Sequence, residues 1–441
     1  MLRLLILAIP IVFIPNALHM SFETGIPGLN ITNLVFLLAV IAVVLKSPGN
    51  RIHGWGELTP ALLAYLAMLA IGFAMAQFMA PANVSEDITK LKDFSLYPLL
   101  YFIYRRSGLD LRQTRWLIIL VMVVAAVAGL EAVREGLDYG FGHYVETRRA
   151  SGPFGVNYAN ANRAGVFYAM FMPMFIAMAL FFRGQKLWRI AAIVGCIILT
   201  LAIMATYSRQ SYAIALFGLS LLLLRRNLVL ALLIALLALP AVSLLPESVT
   251  QRVVETEQTT AAGNEELDVS TASRFEIWAG AAKMWQDHPM GVGLRRFATY
   301  IGRYAPDHPN MDAHNYYVLV MSELGPIGLA ALAWLLWRML RLAGKVRRSA
   351  GPVSAEGKAL GIGFTVAIIA MAIGNLYGSP FTEGSVMANF WILCGLMERY
   401  AALSAQPAAR PKAQSVEDPY VAISRRFPLA ARIAPGRVRD D

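Results

Sequence analysis

A single polar stretch, residues 246 to 313, interrupts a chain that otherwise passes from one membrane-length apolar run to the next. Crossing hydrocarbon takes about 20 residues of helix, because each backbone N–H and C=O in the bilayer must be satisfied within its own segment or a closed barrel. About twelve runs reach or approach that length: 2–18, 29–46, 58–80, 94–104, 115–133, 162–182, 187–206, 211–224, 228–245, 314–342, 359–377 and 385–398. The expected fold is therefore all-α, a polytopic transmembrane helical bundle. Residues 1–400 form one integral domain, with the 246–313 loop and its short helices inserted. Hydrophobic residues make up 57% of the 441 and charged residues 15%, which leaves no room for a large soluble domain. The run 94–104 is short for a span. The run 2–18 carries Pro10 and Pro15 but no small-x-small cleavage site, and reads as an uncleaved first helix.

A formal net charge of +11 would suit nucleic acid, but the placement of the cations argues against it. If the first helix starts in the cytoplasm and the spans alternate, roughly 26 of the 39 Lys and Arg fall inside and roughly 13 outside. Lys46 and Arg51, Arg105 to Arg115, Arg183 to Arg189, Arg225 and Arg226, and the cluster from Arg338 to Lys358 all fall inside. The acidic stretch Glu255 to Asp268 falls outside. Both termini are thus expected in the cytoplasm and the long loop in the periplasm or outside the cell. The basic tail 401–441, rich in Ala and Pro, reads as a disordered segment attracted to anionic membrane lipid. Cys196 and Cys394 lie in apolar runs, so no disulfide framework is indicated.

The outward cations are few: Lys90, Lys92, Arg134, Arg148, Arg149, Arg163, Arg209, and six in the long loop including Arg274, Arg295 and Arg296. Arg209 stands alone at the tip of a hairpin, Thr206 to Tyr212, which holds its guanidinium at headgroup level. A planar, permanent cation there suits bidentate recognition of phosphate oxygens, although an arginine that merely anchors the hairpin to lipid would look the same. His314 lies where the loop re-enters apolar sequence, after Asp307, His308 and Asp312 and before Tyr316, Tyr317 and Glu323. On residue type alone it could be an interface residue, and its setting makes it a candidate acid or base. The Gly325-Pro326 step should kink the helix that follows, leaving His314 above the membrane on a short helical turn. Ser273 to Trp285 should form a surface amphipathic helix with Ser273 as its N-cap. A metal site from Asp307, His308, Asp312 and His314 is the rival, but the spacing matches no zinc motif. There is also no Asp-x-Asp element and no Gly-rich P-loop, so phosphate recognition falls to arginine.

These residues together resemble the O-antigen ligase and polymerase superfamily. The resemblance rests on Ser208-Arg209, Ser273 to Trp278, His288-Pro289-Met290-Gly291-Val292-Gly293, His314-Asn315 with Glu323, Gly325 and Gly328, and Arg149 to Asn162. It covers roughly residues 145 to 400. It implies a GT-C-like glycosyltransferase that moves a glycan from undecaprenyl pyrophosphate, with inversion and without metal or other cofactor, at the periplasmic face of a bacterial inner membrane. The acceptor would be lipid A-core in a ligase, the growing chain in a Wzy-type polymerase, or a protein hydroxyl in an oligosaccharyltransferase. The family's paired arginines match Arg209 and Arg274, and its essential histidine matches His314. Arg148, Arg149, Arg295, Arg296, Tyr317 and Glu323 are expected to add phosphate or glycan contacts.

A lipid or polysaccharide transporter is the rival from another class. It would place charge at mid-span and repeat one half in the other, and neither is evident in the sequence. A non-catalytic scaffold would leave the outer arginines unexplained.

Overall fold

The computed structural model describes residues 2–15, 31–44, 52, 54–80, 83–140, 145, 147–155, 160–182, 186–229, 231–233, 236, 257–259, 265–267, 269–349 and 353–405. Eleven of the twelve expected runs fall on helices. They are α1 (Leu2–Phe13), α2 (Ile31–Val44), α3 (Thr59–Ala76), α4 (Val84–Arg105), α5 (Leu111–Tyr139), α6 (Ala161–Phe181), α7 (Lys186–Ala205) and α8 (Arg209–Arg226) before the long loop. Beyond it come α11 (Tyr316–Arg347), α12 (Ser354–Gly374) and α13 (Gly384–Ser404). The run 228–245 lies mostly outside the described residues, as does the tail from 406 onward.

Six of these, α3, α5, α6, α7, α11 and α12, are long and apolar enough to cross a membrane. The short run at 94–104 belongs to a 22-residue helix, because Asn83 caps α4 ten residues earlier and Glu86 and Asp87 favour its first turn. An apolar run marks the part of a helix that suits lipid, not its ends.

The long loop contains a small antiparallel ribbon, β1 (Glu257–Thr259) with β2 (Glu265–Leu267), that the sequence reading did not anticipate. Two helices follow, α9 (Val269–Asp287) and the short α10 (Phe297–Ile301). The expected loop helix is present but starts at Val269, so Ser273 lies inside α9 and is not its N-cap. Ile277, Ala281 and Met284 form one stripe of α9 at helical spacing and are buried against Val292, Phe297, Tyr300 and Ile301. The loop thus carries a second small core of its own.

In the main core α6 is central, with Ala164 to Ala177 buried against α7, α8 and α12. Polar contacts between the spans gather at two opposite ends. At one, Arg105 Nε donates to Glu398 Oε1 at 3.0 Å, and Arg338 Nε lies 3.0 Å from Glu57 Oε1. At the other, Arg149 Nε donates to Thr206 O at 2.9 Å and Gln210 Nε2 donates to Gly374 O at 2.5 Å. This division matches alternating spans, since α3, α5, α7 and α12 end where α4, α6, α8 and α11 begin.

Candidate functional site

The site is built on the turn that leads into α11. Asn315 caps the helix, its side-chain oxygen accepting from Tyr317 N at 2.9 Å and Val318 N at 3.2 Å. His314 just before it has φ +48°, a left-handed conformation unusual for histidine. It therefore sits on a strained turn, not the short helical turn expected from sequence. Asp312 Oδ2 accepts from His314 N at 3.3 Å and lies 3.9 Å from His314 Nδ1. Tyr316 N donates to Asn375 O at 2.8 Å, and Tyr317 OH to Ala372 O at 2.7 Å. The turn is thereby docked on the end of α12 and the connector to α13.

Helix α9 brings the first arginine to the same place. Trp278 Nε1 donates to Ala313 O at 2.8 Å, tying α9 to the residue before His314. One turn earlier, the Arg274 guanidinium stands 5.8 Å over the ring of Tyr377, in the α12–α13 connector. Burial pushes the His314 pKa below its usual value, and the positive charge of Arg274 adds to that shift. Asp312 opposes it. The imidazole is accordingly held neutral, with a lone pair available to accept a proton.

The second arginine is carried by a helix that bonds the end of α12. Tyr207, at φ +49°, turns the chain sharply after α7, and Ser208 caps α8 by accepting from Ser211 N. Arg209 is then the first residue of α8, with Gln210 bonded to Gly374 O at the end of α12. The segments that carry Arg209, Arg274 and His314, more than a hundred residues apart from first to last, thus each touch one short stretch, Gly374 to Tyr377: through Gln210 on Gly374 O, through Arg274 over the Tyr377 ring and through Tyr316 N on Asn375 O. A helix N-terminus beneath Arg209 adds partial positive charge, which suits an anion.

The other expected contacts are placed differently. Arg148 is exposed. Arg149 is buried, donating to Thr206 O and, at 2.5 Å, to Asn162 Oδ1, so it braces the Arg209 turn from behind. Arg296 is buried against Asp87, at 3.0 Å to Oδ1 and 2.5 Å to Oδ2, and also bonds the carbonyls of Ala76 and Met79. Its guanidinium is committed to fastening the loop to α3 and α4. Arg295 pairs with Glu86 at 2.5 Å and is partly exposed.

Glu323 is buried, with Oε1 accepting from Phe297 N at 3.2 Å at the start of α10. The kink expected at Gly325-Pro326 is present, with Gly325 at φ +67° and ψ −171°. Carbonyls released near it are taken up by the glycine-rich segment: Val292 N donates to Ser322 O at 2.9 Å and Gly293 N to Glu323 O at 3.0 Å. A Cβ on Gly293 would lie 2.6 Å from Ala76 N, so only glycine fits between α3 and α11 there.

The rival metal cluster is not assembled, because His308 Nε2 turns to Glu276 Oε2 at 2.6 Å. Among the described residues no three His, Cys, Asp or Glu side chains converge. Sequence reasoning missed Glu383, a lone carboxylate in the connector, which pairs with Arg163 Nη2 at 2.9 Å. Burial raises its pKa, Arg163 and Lys90 pull it down, and the charge of Asp312 pushes it up again. The isolated acid in an otherwise uncharged connector was the available signal.

These features fit a multi-pass, mainly α-helical membrane protein with a candidate arginine and histidine site at one end of its bundle. Residues 194–333, about a third of the chain, match the family model described as O-antigen ligase. The matched segment runs from α7 through α9 and the glycine-rich turn to the first half of α11, and includes Arg209, Arg274 and His314. No curated protein matches the chain.

Proposed function

We propose that the chain is an inverting glycosyltransferase that moves a glycan from undecaprenyl pyrophosphate to lipid A-core at the periplasmic face of a bacterial inner membrane. Both termini are then cytoplasmic. The observation that carries this reading is Arg274 beside a partly buried His314 whose pKa is lowered. His314 takes the proton of the acceptor hydroxyl as that oxygen attacks C1 of the sugar. The bond from C1 to the pyrophosphate oxygen breaks on the opposite side, and the electron pair leaves on the diphosphate. Arg209 and Arg274 balance the charge that grows there, and so favour the transition state over the ground state. No covalent enzyme intermediate and no bound metal is called for.

Reconstitution of the full chain with a lipid-pyrophosphate-linked glycan and lipid A-core tests the reading. The expected product is lipid A-core bearing the glycan. Elongation of the donor glycan without transfer to lipid A-core would make the chain a polymerase. Transfer to a protein hydroxyl alone would make it an oligosaccharyltransferase, and no turnover with any acceptor would leave the proposal without support.

A further inference from the structure

At the end of the bundle opposite His314, the last turns of α11 line a cavity of about 340 Å³ formed by Trp337, Leu340, Arg341, Gly344, Lys345 and Arg348. Steps of three and four residues put these side chains on one helical face. The charges around the cavity do not cancel. Arg338 Nε at 3.0 Å, Arg341 Nε at 3.3 Å and Lys345 Nζ all approach the carboxylate of Glu57, which is itself buried. One anion offsets one of three cations, and Arg348 adds a further positive charge at the rim.

The Arg341 and Lys345 side chains remain 49% and 48% exposed, so their unused donors face outward. The Arg341 guanidinium also lies 5.0 Å over the indole of Trp337, which with Leu340 forms an exposed apolar wall. Cations at a helix C-terminus are favoured by the dipole alone. That preference does not account for a cavity with surplus charge on one wall and an indole on the other.

We propose that this cavity binds the phosphate of an anionic membrane lipid. Arg341, Lys345 and Arg348 take the phosphate oxygens, and Trp337 and Leu340 take the first methylenes of the acyl chains. The chemistry recognised is a phosphate group, which a soluble anion could also supply; the apolar wall favours the lipid. The site is separate from the proposed transfer reaction and stands whether or not that reading holds.

Native mass spectrometry of the full-length protein, released from micelles containing phosphatidylglycerol or phosphatidylcholine, tests it. Wild type should retain phosphatidylglycerol in preference to phosphatidylcholine. Arg348→Gln, which breaks no ion pair among the described residues, and Arg341→Gln should each lower retention about five-fold. Trp337→Ala should lower it with all charges kept. Thermal denaturation identifies any variant that loses retention by misfolding, and Arg348→Gln decides if Arg341→Gln misfolds. Equal retention of the two lipids, or unchanged retention in both Arg348→Gln and Trp337→Ala, would overturn the site. Displacement of the lipid by millimolar inorganic phosphate would overturn the lipid assignment in favour of a soluble anion.

Discussion

The two ends of the bundle are both rich in charge, and they arrange it in opposite ways. At the Glu57 end the central acids are enclosed: Glu398 accepts from Arg105, Tyr101 OH at 2.6 Å and Glu57 N at 2.6 Å, and Arg399 donates to the carbonyl of Leu109 at 2.9 Å. These contacts close the bundle. At the other end His314 lies on a turn and Glu383 in a connector, where it pairs with Arg163 at 2.9 Å, while Arg274 projects from α9 over the Tyr377 ring. The four non-glycine residues with positive φ among the described residues, Tyr207, Arg295, Asn310 and His314, all lie at this end. Strained backbone persists only where surrounding structure enforces it, and it gathers at functional sites. One end holds the helices together, and the other holds the candidate site on strained turns.

The sharpest way to break this contrast is at His314. His314→Ala should lower glycan transfer by about 10²–10⁴-fold, the usual contribution of a general base, while retention of the lipid-pyrophosphate donor stays near wild type. Normal transfer by that variant would make the two ends alike. Next in size are Arg209→Lys and Arg274→Lys, each expected to lose about 10-fold or more in kcat/KM, because an ammonium cannot reproduce the guanidinium fork. Full activity in both would reduce them to anchors.

At the opposite end, Glu398→Gln leaves Arg105 buried without its partner and should cost about 3–5 kcal/mol of stability. Thermal denaturation should show this, with transfer per folded molecule unchanged. A loss of transfer without a loss of stability would erase the division of labour. The smallest effect is on pH dependence. His314 acts as a base only when neutral and its pKa is lowered, so activity should persist above that pKa and fall below it, with the acid limb under about 6.5. Asp312→Asn should move that limb further down and Arg274→Gln should move it up, as read from kcat/KM against pH. Orientation is checked separately, after replacement of Cys196 and Cys394. An impermeant thiol reagent on intact cells should label Asp307→Cys but not Trp55→Cys, both at exposed positions.

Much of the fold was legible because lipid imposes one rule on every span: apolar length. That rule located the runs and, with Gly325-Pro326, the break in α11. It was silent on polar helix ends, so α4 and α9 each begin earlier than their apolar residues suggest. In the candidate site, the positions of Arg209 and His314 at the mouths of apolar runs were legible. Arg296 was misleading, because sequence shows a cation on the outer side but not that Asp87, some two hundred residues earlier, takes up its charge. Glu383 was missed for the converse reason: it stands out locally as the one charge in its connector, but its partner Arg163 is remote in sequence.

The glycine-rich segment has a mechanical consequence. Val292 and Gly293 are stitched to α11, Leu294 N bonds Gly72 O of α3 at 2.9 Å, and Arg296 grips α4 through Asp87. Trp278 fixes the far edge of the loop to Ala313. A flap riveted along both margins cannot lift as a whole. Any displacement of this loop is confined to the stretch between the rivets, Pro306 to Asp312, and there His308 is itself tied to Glu276 of α9 at 2.6 Å.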